Sequence, residues 1–142
     1  MSFESLKVGQ ELVGVPFSPT RESIREFCDA SLDYNPLHLD DEFMKGHFGK
    51  THFGGIIMHG MNNFGVITKM LTDWLYEQNG VQRRLETRWR APVKPGDTIT
   101  PKARITALNT TAKSRWVSLD VEVRNQRDEL VAIGEAMAEF PN

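Results

Sequence analysis

The sequence of 142 residues contains one cysteine, no long apolar run and almost no net charge. A single cysteine, Cys28, excludes an intrachain disulfide framework and a cysteine-rich zinc module. No apolar stretch approaches the roughly 20 residues that a helix needs to cross a bilayer, and the first residues lack the basic and apolar regions of a signal peptide. These absences predict one soluble, cytoplasmic domain over residues 1–142, with no membrane partner.

The charge balance is close to neutral overall but uneven along the chain. Lys and Arg number 17 and Asp and Glu number 19, for a net charge of −2, which argues against strong binding to nucleic acid. Residues 1–50 carry nine acids and five bases, whereas residues 83–104 carry seven bases and two acids. Two interpretations of this basic segment stay open: a solvated strand face and a docking surface for a polyanion.

The carboxy-terminal half has the pattern of β-strands. Apolar residues alternate with a period of two in four segments, at 81–91, 99–107, 117–123 and 130–140. A turn rich in proline and glycine, at 92–97, separates the first two segments. The connections are short, so each strand is predicted to pair antiparallel with the next one along the chain.

The amino-terminal half has the pattern of helices. Thr20 is suited to cap a first helix, with Ile24, Phe27, Cys28 and Leu32 on its apolar face. Cys28 is expected to act there as a small buried hydrophobe rather than as a reactive thiol.

A second, longer helix is predicted to begin near Gly60 and to stop near Asn79 and Gly80. Gly65 is expected to allow a close approach of this helix to a sheet. Helices followed by a meander of strands indicate an α+β fold in which the long helix packs on an antiparallel sheet. The predicted packing side of that helix comprises Met61, Phe64, Gly65, Thr68, Leu71 and Leu75.

The densest group of chemically active side chains lies in the segment 33–40. Pro36 disfavours helical geometry at Asn35, so this segment is predicted to be a turn. A turn can bring Asp33 and His38 together, and a carboxylate beside an imidazole can take a proton from a water and return one. The alternative is an Asx-Pro turn with a structural histidine.

A second candidate element is the glycine-containing entry into the long helix. A helix start offers backbone N–H groups without acceptors and a partial positive charge. Gly60 has no side chain to block a ligand, so its N–H is suited to bind a developing oxyanion. The alternative is a loop-to-helix junction that merely needs a glycine, and His59 is expected to be structural rather than catalytic.

Three motifs follow one another along the chain: Asp-Tyr-Asn-Pro-Leu-His at 33–38, His-Gly-Met at 59–61 and Pro-Val-Lys-Pro-Gly-Asp at 92–97. Together, over about residues 5–140, they make the sequence resemble the MaoC-like hydratase/dehydratase family, whose best-known members are (R)-specific enoyl-CoA hydratases. The resemblance implies a hot-dog fold, an antiparallel sheet wrapped around a long helix. It also implies a homodimer or a higher oligomer.

The resemblance further implies the reversible addition of water to a trans-2-enoyl thioester of coenzyme A or acyl-carrier protein. Asp33 and His38 match the family's catalytic dyad, which holds the water. Gly60 matches the glycine whose N–H polarises the thioester carbonyl. No metal and no redox cofactor are implied, and coenzyme A enters only as part of the substrate, for which the basic segment is a candidate surface.

Five residues are candidates for substrate contacts: Asn35, His59, Met61, Asn62 and Asn63. The family usually has apolar or small residues after His-Gly-Met. The two asparagines therefore predict a polar or short acyl chain in place of a long aliphatic one. The segment 45–52 is longer than in compact hydratases, which predicts either a mobile loop beside the site or a tolerated surface insertion.

Other functions remain possible from the sequence. One is a non-catalytic, acyl-binding hot-dog subunit of a hetero-oligomeric hydratase, and another is an acyl-CoA thioesterase. A metal site is disfavoured because the spacings of the candidate ligands match no standard zinc pattern. Those candidate ligands are His38, His47, His52, His59, Asp33, Asp40 and Asp41.

Overall fold

Two α-helices and five β-strands form the main elements of the computed structural model, which describes residues 2–46 and 53–142. A one-turn 3-10 helix at Pro36–His38 lies between the two α-helices. In chain order the elements are β1 (Glu11–Val13), α1 (Arg21–Ser31), α2 (Gly60–Tyr76), β2 (Val81–Trp89), β3 (Thr100–Thr110), β4 (Arg115–Arg124) and β5 (Leu130–Phe140).

The five strands form one antiparallel sheet in the order β1-β3-β4-β5-β2. Alternate residues of β4 are buried in the hydrophobic core, to which α2 also contributes, as expected for a sheet with one face on the core. The predicted α+β hot-dog architecture, with a long helix on an antiparallel sheet, is confirmed. The buried residues that these two elements contribute to the core are Val117, Leu119, Val121 and Val123 from β4 and Ile67, Leu71 and Leu75 from α2.

The predicted pairing of β2 with β3 is wrong. β2 pairs with β5 along its whole length, whereas the predicted pairs β3–β4 and β4–β5 are present. β3 has its other edge occupied by β1, a three-residue strand too short to show an alternation in the sequence. β2 therefore takes the free edge of β5, and residues 90–99 cross from one side of the sheet to the other.

The turn at 92–97 is fastened to the hairpin between β4 and β5. The Asp97 carboxylate accepts a hydrogen bond from the Lys94 backbone N–H at 2.9 Å and another from Gln126 Nε2 at 2.7 Å. The Pro-Gly-Asp motif thus has a structural role, since its aspartate closes the turn and holds the crossing connection in place.

The first helix agrees with its prediction except at its end. Thr20 Oγ1 accepts from the Ser23 N–H and Ser23 Oγ accepts from the Thr20 N–H, both at 2.9 Å, which forms a capping box. Ile24 and Cys28 are fully buried. Leu32 is not on the apolar face, because it adopts a left-handed conformation after the last turn and is 76% exposed.

The second helix is rotated relative to the predicted packing side. Met61 and Gly65 are exposed, and a Cβ at Gly65 would meet no atom within 4 Å, so the expected close approach at Gly65 is wrong. The helix ends at Tyr76, and Asn79 forms the following turn with a positive φ. The rotation escaped the sequence pattern because the buried side includes a polar residue, Asn63.

Candidate active site

The turn that carries the predicted dyad begins directly after α1. The Asn35 side chain accepts from the Leu37 N–H at 3.1 Å, and the Asn35 N–H donates to Asp33 Oδ1 at 3.2 Å. This segment therefore forms an Asx-Pro turn, as the structural alternative predicts. The turn brings Asp33 Oδ2 within 3.7 Å of His38 Nε2. Asn35 has a local function in this geometry, which is to shape the turn.

The protonation pattern of His38 follows from its surroundings. His38 is buried, and its Nδ1 lies 2.8 Å from the carbonyl oxygen of Ile57. Since a carbonyl can only accept, Nδ1 carries the hydrogen, and in the neutral ring Nε2 presents a lone pair toward Asp33. A separation of 3.7 Å is too long for a good direct hydrogen bond but suits a water that donates to both acceptors. The Asp33 side chain is 51% exposed, so water can reach this position.

His59 lies behind the dyad, between two rings. Its imidazole stacks on that of His38 with 3.5 Å between centroids, and Phe27 covers it at 4.6 Å. Its Nε2 is 3.3 Å from the Asp33 backbone oxygen, to which it donates, while its buried Nδ1 has no hydrogen-bond partner among the described residues. Burial lowers the pKa of His59, so this ring is neutral at pH 7.

Cys28 closes the inner wall of this cluster. Its Sγ lies 3.6 Å from His59 Nε2, and burial raises the pKa of the thiol. The side chain therefore stays a thiol and acts as a small packing group, in agreement with the sequence-based expectation.

The neutral state of His59 predicts a pH dependence of stability. The folded-state pKa is lowered, so the unfolded chain binds more protons once the pH falls below about 6.5. The contribution of His59 to stability is complete above that pH and is lost as the pH falls through the lowered pKa. We expect a smaller drop in the urea midpoint between about pH 7.5 and about pH 5.5 for His59→Gln than for the parent protein. Equal drops in the two proteins would contradict this assignment.

Gly60 is the first residue of α2, and its backbone approaches an indole. As the first helical residue, it has an N–H without an acceptor inside the helix. A Cβ at this position would lie 2.7 Å from the Trp89 ring, so the junction requires a glycine, whereas the binding of an oxyanion by its N–H stays a prediction. Trp89, at the end of β2, is a neighbour of the site that the sequence analysis assigned only to a strand.

The remaining candidates for substrate contacts occupy different environments. Met61 is exposed, Asn62 is partly buried and Asn63 is buried. Most of the longer segment 45–52 lies outside the described residues, so the predicted mobile loop stays a prediction. The structure therefore brings Asp33, His38 and His59 together, with Gly60 next to His59 in the chain.

The cluster of Asp33, His38 and His59 has the atom types of a metal site, since one ligand atom of each lies within 4.8 Å of the others. The ring geometry fits a metal poorly. The two imidazole planes are 15° apart and stacked. The lone pairs of the two rings therefore lie in nearly parallel planes and do not converge on one ion. In addition, His59 Nε2 already donates to the Asp33 carbonyl.

The basic segment is only partly neutralised in the fold. Arg83 pairs with Glu139, Arg84 with Glu86 and Lys102 with Glu11. The other cations of the segment form no salt bridge within residues 2–46 and 53–142; they are Arg88, Arg90, Lys94 and Arg104.

Among these cations without a salt bridge, Lys94 lies in a loop that a backbone hydrogen bond joins to the site. The Met58 N–H donates to the Val93 carbonyl at 2.7 Å, which joins the Lys94 loop to the segment that enters α2. In addition, the Lys94 ammonium would lie 4.0 Å from a Cβ at Gly54. This places a positive charge beside Gly54, in the segment that leads into α2.

Comparisons with known proteins agree with this architecture. A family model described as a MaoC-like domain matches residues 5–127. The chain is 29% identical to an (R)-specific enoyl-CoA hydratase of Aeromonas caviae, covering 99% of this chain and 100% of the relative. It is also 29% identical to a 3-hydroxybutyryl-CoA dehydratase of Methylorubrum extorquens, covering 98% and 83%. The solved structure of the (R)-hydratase from A. caviae superposes with a TM-score of 0.83 at 28% identity, covering 97% of this chain and 99% of that one.

No helix among the described residues is long and apolar enough to cross a membrane.

Proposed function

The chain belongs to the MaoC-like family and is an enzyme of the hydro-lyase type, and from this premise we propose that it hydrates trans-2-enoyl-CoA thioesters reversibly to 3-hydroxyacyl-CoA thioesters. The observation that carries the proposal is the pair of Asp33 Oδ2 and His38 Nε2, 3.7 Å apart at a solvent-accessible position. The substrate class is supported by two relatives, an (R)-specific enoyl-CoA hydratase and a 3-hydroxybutyryl-CoA dehydratase. Both align with nearly the full length of this chain.

The dyad would hold and activate one water. Both Asp33 and His38 Nε2 present acceptors, so a water donating to both has its oxygen lone pairs free for C3 of the substrate. As the C3–O bond forms, the water gives up a proton to the dyad. The dyad then returns a proton to C2. The net change is the addition of H to C2 and OH to C3. Acid/base assistance of this kind accelerates a reaction by roughly 10²–10⁴-fold.

Gly60 would stabilise the charge that develops on the thioester oxygen. Attack at C3 moves electron density to the carbonyl, and the free N–H at the start of α2 points with the positive end of the helix dipole. One such donor contributes on the order of 10²–10³-fold. The Trp89 indole beside Gly60 limits where the carbonyl can lie, because only glycine fits beneath it.

The charges and the family support a proposal for the carrier and for the assembly. Lys94 supplies a positive charge near the segment that leads into α2, which suits the phosphates of coenzyme A or acyl-carrier protein. We propose a homodimer as the assembly and catalysis without a metal or redox cofactor. If activity appeared only after mixing with a second hydratase-like chain, that would point to a hetero-oligomeric hydratase instead.

The decisive experiment is hydration of crotonyl-CoA by the purified protein. We expect the ultraviolet absorbance of the conjugated enoyl thioester to fall, with 3-hydroxybutyryl-CoA as the product, and the rate to be the same in the presence of a strong chelator. Release of free thiol from saturated acyl-CoA without hydration would identify a thioesterase. An absence of hydration with every enoyl-CoA and acyl-carrier-protein thioester would contradict the proposal.

A further inference from the structure

Asn63 is a buried polar residue near the start of α2, and its side-chain oxygen lacks a hydrogen-bond partner among the described residues. Its side chain is 97% buried, since only 3% of the residue remains exposed. Its Oδ1 has no hydrogen-bond partner among the residues that the structure describes. Buried amides nearly always have hydrogen-bond partners, because an amide that is buried without one loses its hydrogen bonds to water and gains none in return. A hydrogen-bond donor to this oxygen is therefore expected outside the described protein atoms.

The position of Asn63 connects it with the reacting end of the substrate. It lies three residues after Gly60, one turn further along the same side of α2, which is a rise of about 4.5 Å. Side chains on a helix tilt toward its amino terminus, so the Asn63 amide leans back toward the turn of Gly60. An acyl chain whose carbonyl is bound at Gly60 would bring its first carbons beyond C3 near this amide.

The surroundings favour a neutral group over a charged one. Residues 60–68 contain no charged side chain, and Lys69, the first cation in α2, is exposed and paired with Asp73. A carboxylate at this depth would have no cation on the helix to compensate its loss of hydration. A hydroxyl both donates and accepts, so it satisfies the amide whichever way its oxygen and nitrogen are oriented.

We propose that the Asn63 side-chain amide binds a hydroxyl group on the acyl chain, at or next to C4 of the enoyl thioester. This inference rests on the proposed hydratase function and names its substrate class: enoyl thioesters that carry a neutral hydrogen-bonding group close to the double bond. The unpaired Oδ1 is then the free-protein state of a specificity contact.

The test compares two matched substrates in two variants. The ratio of kcat/KM for trans-4-hydroxycrotonyl-CoA to that for crotonyl-CoA is measured for the parent protein and for Asn63→Leu. We expect this ratio to fall about tenfold in Asn63→Leu, the size of one neutral hydrogen bond. We also expect the Tm of Asn63→Leu to rise by a few degrees, because a buried unpaired amide is replaced by an apolar group of similar size.

Controls separate this inference from the proposed function. Asn109→Leu changes a partly exposed amide in β3, outside the candidate site, and is expected to alter the ratio less than twofold. Competitive inhibition by 4-hydroxybutyryl-CoA relative to butyryl-CoA provides a binding readout that needs no hydration of the probe. Parent protein active on crotonyl-CoA with an unchanged ratio in Asn63→Leu would overturn the role of Asn63 alone. An inactive parent protein would instead contradict the hydratase function.

Discussion

Replacement of Asp33 by asparagine is expected to lower kcat for enoyl-CoA hydration by about 10²–10⁴-fold, with a much smaller change in KM. The amide keeps the size of the carboxyl group, and its oxygen can still accept from the Asn35 N–H, so the turn persists. What is lost is the second acceptor for the water and the negative charge 3.7 Å from His38 Nε2. The loss therefore falls on the transition state.

A matched control is Asp73→Asn, which removes an exposed carboxylate of α2 that pairs only with Lys69. This variant is expected to keep the parent kcat, because an exposed ion pair of this kind contributes little to stability and lies outside the site. Thermal unfolding of both variants tests whether folding is intact. Asp33→Asn with more than half of the parent kcat would show that the dyad does not activate the water.

The local geometry of the site could be predicted from the sequence. Pro36 and Asn35 determine a turn through short-range steric and hydrogen-bonding rules, so the approach of Asp33 to His38 was predictable from neighbouring residues alone. The same holds for the start of α2 at Gly60, which follows from a helix pattern and a glycine. In both cases the interacting groups are at most a few residues apart.

The surroundings of the dyad could not be predicted, because they depend on contacts between distant segments. The stack of His59 on His38 and the donation to Asp33 join residues from two elements. Whether His59 would face the substrate or the back of the dyad depends on the direction in which α2 meets the turn. Only the three-dimensional structure places it behind His38, with Phe27 on its other side.

The strand order also depended on long-range packing. The alternation within β2 is compatible with pairing to either neighbour, and no short-range signal distinguishes β3 from β5 as its partner. A glycine in β5 gives the physical reason for the observed pairing. Gly134 lies opposite Thr87, and the backbone of β2 passes so close that no side chain fits there.

Substitution of Gly134, the single glycine within the five described strands, by alanine is therefore expected to destabilise the protein strongly. The added Cβ would lie 1.8 Å from the Glu86 carbonyl oxygen and 3.0 Å from the Thr87 Cα, both backbone atoms that cannot rotate away. β2 must then separate locally from β5, and we expect a loss of about 3 kcal/mol or more in the free energy of unfolding. In thermal unfolding this corresponds to a Tm lower by roughly 10 °C.

Gly65→Ala is the matched control, because the same methyl group is added to an exposed helical glycine where it meets no atom within 4 Å. It is expected to raise stability by about 0.5–1 kcal/mol, as alanine favours a helix over glycine. Gly134→Ala should in addition reduce hydration, because the end of β2 holds the Trp89 ring against Gly60 and a displaced strand would move the indole away from Gly60. A Gly134→Ala protein with the parent Tm would show that β2 does not approach β5 this closely. A protein that lost stability but kept full activity would instead separate the position of Trp89 from catalysis.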